Sequence, residues 1–159
     1  NKVGSDAKIN ILNLGKEEQH VDNNILINHK AEHCTSLQHV RNVLDNKSTA
    51  VFNGKVIVAE GAQQTDSNQS NKNLLLSVES NAFSNPQLEI YADDVSCGHG
   101  STTGALDENS IFYLRARGID YSSAQKILIK AFAKEVIDDF SLSSLQDISE
   151  IALDSWIDG

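Results

Sequence analysis

Cysteine and histidine, side chains that bind transition metals, occur close together at two places in the sequence. Cys97 and His99 lie two residues apart in a Cys-Gly-His-Gly segment, so both side chains share one face of an extended strand. The neighbouring glycines, Gly98 and Gly100, leave the backbone open to a second chain. This spacing suits a metal half-site that a partner completes. The residues by themselves favour the other interpretation, a buried cysteine with a hydrogen-bonded core histidine.

The second place contains His29, His33 and Cys34. Adjacent side chains on a strand point to opposite faces, so His33 and Cys34 reach one site only if the chain turns there. The residues Cys34-Thr35-Ser36 are compatible with such a turn. The favoured interpretation is a buried structural cysteine beside solvent-facing or hydrogen-bonded histidines.

Catalytic constellations are not evident in the sequence. Asp93 and Asp94 are adjacent, so on a strand their carboxylates diverge and cannot share acid/base work. Aromatic residues make up only 6% of the chain, which leaves little for stacking sugars. There is no Gly-rich phosphate loop and no nucleophile elbow. We therefore expect no hydrolase, lyase or ATPase activity from this chain.

A partner-binding surface is predicted by a segment that mixes large apolar groups with two arginines. Phe, Tyr and Arg are enriched at interface hot spots. The alternative is a helix that packs its apolar side on the preceding strands, and both can hold because a helix has more than one face. The predicted surface consists of Ile111, Phe112, Tyr113, Leu114, Arg115, Arg117, Gly118 and Ile119.

Short strands are predicted over the first two thirds of the chain, since apolar residues there occur in brief, partly alternating runs. The polar stretch from Gln63 to Asn73 is interpreted as a separator between two of them. No helical period of useful length occurs before Leu106. The predicted strands are residues 9–14, 24–29, 49–52, 55–59, 73–77 and 87–93.

Two all-β architectures compete for these strands. Asn53-Gly54 between apolar pairs is typical of a hairpin and favours a sandwich or barrel. The apolar runs that begin near Ile25, Val51 and Leu74 recur at the spacing of a solenoid and slightly favour a β-helix. In a solenoid, Asn53-Gly54 would form a corner between sheets.

The last third of the sequence predicts helices. Asp107 is the expected cap of a short helix that stops at Gly118. Capping-box patterns predict two further helices, one from Ser122 with Gln125 and one from Ser144 with Asp147. A domain boundary near Leu106 follows, with a β-domain over residues 1–106 and a helical domain over residues 107–159. The third helix is expected to contain Ile148, Ile151, Ala152 and Trp156.

The formal net charge of −9 disfavours nucleic acid and anionic membranes as partners, because both require clustered Lys or Arg. Two cysteines make no disulfide framework, which predicts a reducing compartment. The sequence contains no Met, so Asn1 is not expected to be a native start. We expect a truncated chain, a processed product or the ordered part of something longer, with any targeting segment upstream.

Several motifs together resemble the core domain of the SufB/SufD family of iron–sulfur cluster assembly proteins, over about residues 19–140. The Cys97 to Gly100 motif resembles the SufD branch, since SufB is expected to place an acidic residue directly after the histidine. The motifs are QHVDN at 19–23, His29 with HCTS at 33–36, VFNGK at 51–55, QSNKNLLLS at 69–77, PQLEIYADDV at 86–95 and RARGI at 115–119.

This resemblance implies a right-handed parallel β-helix, mainly β, followed by a small C-terminal helical domain. It also implies a complex of SufB, SufC and SufD in the bacterial cytoplasm or in plastids. SufC, an ABC-type ATPase, would dock on the helical domain, and SufB would pair with strands near the end of the β-helix. Cys97 and His99 correspond to positions near that pairing surface that are associated with iron or cluster handling.

The function expected from the resemblance is that of a non-catalytic scaffold. We expect no tightly bound cofactor in the chain alone, and iron or an iron–sulfur cluster held transiently in the complex. An exposed strand edge could also pair with a second copy and give a homodimer. The alternative function is a carbohydrate-active β-helix enzyme, which would need convergent acidic residues and aromatic subsites in a groove.

Overall fold

The computed structural model describes residues 2–159, which form seven strands followed by three helices. The strands are β1 (Asp6–Gly15), β2 (His20–His29), β3 (Thr35–Leu44), β4 (Thr49–Val58), β5 (Thr65–Leu75), β6 (Asn81–Ile90) and β7 (Val95–Gly104). The helices are α1 (Glu108–Arg115), α2 (Tyr121–Ile137) and α3 (Ser143–Asp158).

The strands wind into a solenoid of about three turns. Odd-numbered strands form one sheet in the order β1-β3-β5-β7, and even-numbered strands form a second sheet, β2-β4-β6. Every pair is parallel; Asp6 lies opposite Thr35 in the first sheet, and His20 lies opposite Thr49 in the second. The prediction of a mainly β, parallel β-helix with helices at its C-terminal side is therefore confirmed.

Asn53-Gly54 lies in the middle of β4, so both predictions for this pair are wrong: it forms neither a solenoid corner nor a hairpin turn. Gly54 pairs in register with Ile25 and Pro86 of the neighbouring parallel strands. It faces the solenoid interior, where an added Cβ would clash with Cζ of Phe52. The glycine is there because it makes room for the Phe52 ring.

Replacing Gly54 by Ala is expected to destabilise the chain by about 1–3 kcal/mol, because the new methyl group overpacks the interior against Phe52. Urea denaturation of both proteins measures the difference. Gly100→Ala is the matched control on β7, since nothing lies within 4 Å of its added Cβ. Equal losses of stability in the two variants would contradict this explanation.

The corners of the solenoid lie instead at residues with positive φ. Glu17 and Asn46 have φ values of 54° and 53° at the same corner of successive turns. They are linked, since the Glu17 backbone N–H donates to Oδ1 of Asn46 over 3.1 Å. His33 and Gln64, with φ of 56° each, occupy the other corner of successive turns. None of these four residues is a glycine, so glycine positions in the sequence do not predict the corners.

Polar side chains fill much of the solenoid interior. The stretch predicted as a separator, Gln63 to Asn73, is mostly β5, and its inward residues are buried although polar. Amide side chains stack from turn to turn; for example, Nδ2 of Asn42 donates to Oδ1 of Asn71 over 3.0 Å. Satisfied amides of this kind can be buried without an apolar sequence pattern. The buried inward residues of β5 are Thr65, Ser67, Gln69, Asn71 and Asn73.

The helices pack on the outer face of the four-stranded sheet. Val43 and Leu74 of the sheet contact Ile129 and Ala133 of α2 in one buried cluster. Polar contacts reinforce this packing beside the cluster. Arg41, only 2% exposed, pairs with Glu135, and its guanidinium lies 5.3 Å from the centre of the Phe132 ring.

Charged groups also hold the end of α2 against the same sheet. His39 Nδ1 donates to Asp139 over 2.8 Å, and Lys8 Nζ lies 3.2 Å from the other carboxylate oxygen. The hydrogen bond from His39, with the nearby Lys8, lowers the pKa of Asp139 below its ordinary value. The carboxylate is therefore ionised at neutral pH, as this contact requires.

The helix starts match the sequence patterns only in part. Asp107 caps α1 by accepting from the backbone of Asn109 and Ser110, as predicted. Asp120, not Ser122, caps α2. The third prediction is also wrong, because α3 begins at Ser143 without a side-chain cap. Within residues 2–159, no helix is long and apolar enough to cross a membrane.

Candidate functional site

Cys97 and His99 lie on β7, the edge strand of the four-stranded sheet. Cys97 pairs in register with Ser67 of β5, and His99 pairs with Gln69. Ser67 and Gln69 are both inward-facing and 1% exposed. Cys97 and His99 therefore share the inward-facing side of the last strand, above two buried polar residues.

The surroundings of the two candidate ligands differ. Cys97 is half-buried against an apolar cluster that includes Val56, Val58 and Leu88, whereas His99 is exposed. Burial raises the pKa of the Cys97 thiol above its ordinary value, with a smaller opposing effect from the backbone of Ser67. The protonated thiol is thus favoured in the chain alone. Since the thiolate is the metal ligand, a bound cation would have to supply the compensating charge.

A chain of hydrogen-bonded, buried side chains begins at Ser67, the residue that pairs with Cys97. The Ser67 hydroxyl lies 2.8 Å from the Ser36 hydroxyl, which lies 2.8 Å from Nε2 of His29. His29 is 5% exposed, and burial lowers its pKa. The neutral imidazole is therefore the favoured form inside the solenoid.

The side chains of the other histidine–cysteine segment lie in different surroundings. His29 points into the solenoid and bonds Ser36, while His33 is exposed at a corner. Cys34 is 6% exposed, with the carbonyl oxygen of Glu32 3.5 Å from its thiol. The favoured interpretation, a buried cysteine near a hydrogen-bonded histidine, is confirmed.

Within the described chain, no group of three or more His, Cys, Asp or Glu side chains converges on a possible metal position. Cys97 and His99 therefore provide two donors, a thiolate sulfur and an imidazole nitrogen, both suited to iron and zinc. Asp93 and Asp94 are exposed between β6 and β7. The Asp94 backbone N–H donates to the side chain of Gln63 over 3.0 Å, as expected for an aspartate in a strand-ending turn.

The predicted partner-binding segment divides into an inner and an outer side. Ile111 of α1 is 3% exposed, and Leu114 is partly buried. Phe112 and Tyr113 are 74% and 56% exposed. The Arg117 guanidinium stacks 3.5 Å from the centre of the Tyr113 ring. The outer side is thus an aromatic surface with cationic groups held against it. Around these residues, Arg115 is exposed, Ile119 is half-buried and Gly118 has a φ of 86°.

A second exposed apolar surface lies on α3, and the sequence interpretation missed it. Ile148 and Ile151 are 62% and 70% exposed, whereas Leu153 is buried and Trp156 half-buried. Three lysines on α2 pair with acidic residues on α3, and these residues mark the side of α3 that faces α2. In the sequence these lysines and these acidic residues each recur every four residues, and this spacing was the available signal that two charged helix faces meet. The pairs are Lys126–Asp158, Lys130–Asp154 and Lys134–Glu150.

Comparison with known proteins agrees with this architecture. Residues 1–132 match the family model of the SufBD core domain of the SUF system for FeS cluster assembly. The iron–sulfur cluster assembly protein SufD of Escherichia coli is 41% identical over 136 residues, covering 86% of this chain and 32% of that protein. The match contains every strand, α1 and the first part of α2.

Two further relatives come from a cyanobacterium and a plant. A SufBD family protein of Synechocystis is 39% identical over 132 residues, covering 83% of this chain and 29% of that protein. The chloroplastic protein ABCI7 of Arabidopsis thaliana is 41% identical over 105 residues, covering 66% of this chain and 22% of that protein. The chain spans about a third or less of the length of these curated relatives. It belongs to the SufBD core family of iron–sulfur cluster assembly.

Proposed function

We propose that this chain acts in iron–sulfur cluster assembly as a non-catalytic scaffold of the SufD type, pairing with SufB and docking the ATPase SufC. The observation that carries the proposal is the position of Cys97 and His99 on β7, at the edge of the four-stranded sheet. Two metal donors on an unpaired edge strand suit a site completed by another chain. Family membership and the 41% identity to SufD of Escherichia coli support the pathway.

Pairing with SufB would use the backbone of β7. An edge strand presents unpaired N–H and C=O groups that a strand of another chain can bind. In the complex, iron or a nascent cluster is cargo, held between Cys97, His99 and donors from SufB. Without SufB the same edge would be open to a second copy of the chain, so we propose that the chain alone forms a homodimer.

The solenoid is right-handed in this proposal. β1 and β3 are parallel neighbours in one sheet, and the chain crosses between them through β2 of the other sheet. Such crossovers are right-handed in about 98% of cases, because of the intrinsic twist of strands. The proposed domains are the solenoid, residues 1–106, and the helical part, residues 107–159.

SufC would dock on the helical part through the outer side of α1. Phe112 and Tyr113 offer exposed aromatic area, and Arg115 and Arg117 add cationic groups beside it. Aromatic and arginine side chains supply most of the energy at many interfaces. We place this assembly in the bacterial cytoplasm or in plastids; the relatives in Escherichia coli and in the chloroplast of Arabidopsis thaliana support this proposal.

The docking proposal is tested by alanine substitutions at Phe112, Tyr113 and Arg117, scored by SufC affinity in the presence of SufB. At least one substitution is expected to weaken binding by about 1 kcal/mol or more, as at interface hot spots. Ile148→Ala and Ile151→Ala on α3 are the matched controls, being equally exposed apolar groups. If only the α3 substitutions weaken binding, SufC docks on α3 and the proposal for α1 is wrong.

A further inference from the structure

Asn53-Gly54 is a reactive pair that the proposed function does not use, and it is the only Asn-Gly pair in the sequence. The backbone nitrogen of such a glycine can attack the side-chain carbonyl carbon of the asparagine, because glycine has no side chain to hinder the approach. A C–N bond forms, the amide nitrogen leaves as ammonia with the glycine proton, and a succinimide ring results. Water then opens the ring to aspartate or, by breaking the original backbone bond, to isoaspartate.

The backbone of β4 keeps the two reacting groups apart. β4 is the central strand of the three-stranded sheet and is paired in parallel with β2 on one side and β6 on the other. The N–H of Gly54 is therefore engaged in the ladder of hydrogen bonds. Ring closure also requires the Asn53 backbone to rotate out of the extended region, so that the side chain and the next nitrogen meet. Both requirements block the attack while β4 is paired.

The side chain of Asn53 is held less firmly than its backbone. Nδ2 of Asn53 donates to Oδ1 of Asp22 over 3.5 Å, and Nδ2 of Asn85 donates to Oδ1 of Asn53 over 3.4 Å. Both distances exceed the usual range for N–H···O hydrogen bonds. The side chain also lies half-buried on the outer face of the sheet. Protection of the pair therefore depends on the pairing of β4 and not on contacts of the amide.

The products of the reaction do not fit the strand. Isoaspartate adds a methylene to the main chain at position 53, so the residues that follow lose their register with β2 and β6. These residues include Val56 and Val58, which are fully buried in the solenoid interior. Aspartate and isoaspartate also both place a carboxylate near Asp22, and like charges on neighbouring strands are destabilising.

We propose that Asn53-Gly54 is a latent modification site: the folded solenoid protects it, and opening of β4 allows conversion to isoaspartate, which prevents β4 from pairing again. The reaction requires only water and no enzyme. Because only open chains react, the rate in the native chain equals the rate in the unfolded chain multiplied by the open fraction. The modification therefore marks chains whose solenoid has opened and keeps them from refolding.

The first measurement compares deamidation of the full chain in native buffer and in urea, at the same mildly alkaline pH and temperature. Trypsin releases residues 48–55, in which Asn53 is the only amide side chain. Mass spectrometry gives the deamidated fraction, and isoaspartyl methyltransferase labelling separates isoaspartate from aspartate. The native chain is expected to react about 100-fold more slowly, as for a region open in about 1% of molecules. Equal rates in the two buffers would overturn the proposal.

Val56→Ala and Val78→Ala test whether opening of β4 controls the native rate. Val56 is fully buried on β4, whereas Val78 is fully exposed between β5 and β6. Loss of buried carbon atoms raises the open fraction, so Val56→Ala is expected to deamidate about tenfold faster in native buffer. Val78→Ala should match the wild type, and all three chains should react equally in urea. An unchanged native rate in Val56→Ala would overturn control by opening.

A series of urea concentrations below the unfolding transition gives the same test on the wild-type chain, in case Val56→Ala does not fold. Urea lowers the free energy of opening, so the rate should rise steadily with its concentration. A rate that stays constant until the transition would contradict opening of β4 as the controlling step.

The last measurement is refolding of chains that have been deamidated in urea, followed by circular dichroism after dilution. Chains with isoaspartate at position 53 are expected not to regain the native signal, whereas wild type kept in urea at acidic pH should regain it. Asn53→Asp adds the charge without the extra methylene and is expected to refold. Wild-type stability of the isoaspartate chains would overturn the block on refolding. Failure of Asn53→Asp to refold would overturn the role of the lengthened backbone.

Discussion

Replacing either Cys97 by Ser or His99 by Gln is expected to lower the iron retained by the complex with SufB and SufC by about tenfold or more. Protein metal sites with tightly held ions use three or four protein ligands, and this chain offers two on β7. When one of these two donors is removed, the ion keeps a single ligand from this chain besides the ligands from SufB. The chain without SufB should bind iron or zinc weakly whether or not it is mutated.

Metal content is measured after anaerobic reconstitution and desalting, alongside the amounts of SufB and SufC that co-purify. Cys34→Ser and His20→Gln are the matched controls, because they remove a buried cysteine and an exposed histidine elsewhere. Both controls should retain wild-type iron. Undiminished metal in the Cys97 and His99 variants, with assembly intact, would mean that these residues only contribute to the structure.

The fold could be predicted from sequence where inward residues are apolar and not where they are polar. The segment around Leu88 and Ile90 was recognised as a strand because its alternation follows hydrophobicity. β5 alternates just as regularly in burial, but its inward residues are Ser67, Gln69 and Asn71, so it was interpreted as a separator. Hydropathy cannot detect a strand whose buried face is polar, even where amides such as Asn71 bond between turns.

The prediction of a turn at Asn53-Gly54 failed for a related reason. Asn53-Gly54 has the composition of a turn, yet its glycine is selected by the volume of Phe52, a contact within the folded solenoid. The true corners use Glu17 and Asn46, which adopt positive φ without glycine. The corner at Glu17 depends on the neighbouring turn, because Asn46, which accepts its backbone N–H, lies 29 residues away along the chain. A local turn pattern contains no information about that contact.

The common face of Cys97 and His99 could be predicted from the sequence, but the residues that surround them could not. The two-residue spacing of Cys97 and His99 fixes their common face on any strand. Their position at a sheet edge, and the buried Gln69 beneath His99, follow only from the register of β7 on β5. Which strand pairs with β7 is decided by the tertiary fold, so the spacing of residues in the sequence could not identify these neighbours of Cys97 and His99.

Replacing Phe52 by Ala is expected to reduce stability by about 3–5 kcal/mol, the range for large-to-small changes of buried aromatic residues. Phe52 is 1% exposed and is among the largest fully buried side chains. The cavity cannot collapse easily, because the ring packs over Gly54, which has no side chain to move inward. The upper part of the range is therefore expected.

Phe83→Ala provides the matched control, since Phe83 lies on the adjacent strand β6 but is 60% exposed on the outer face. A change of about 0.5 kcal/mol or less is expected for it, as for most surface substitutions. Urea denaturation followed by circular dichroism gives both values. Similar losses for the two variants would contradict the assignment of Phe52 to the interior. The comparison therefore tests, through stability alone, which face of the three-stranded sheet is turned toward the inside of the solenoid.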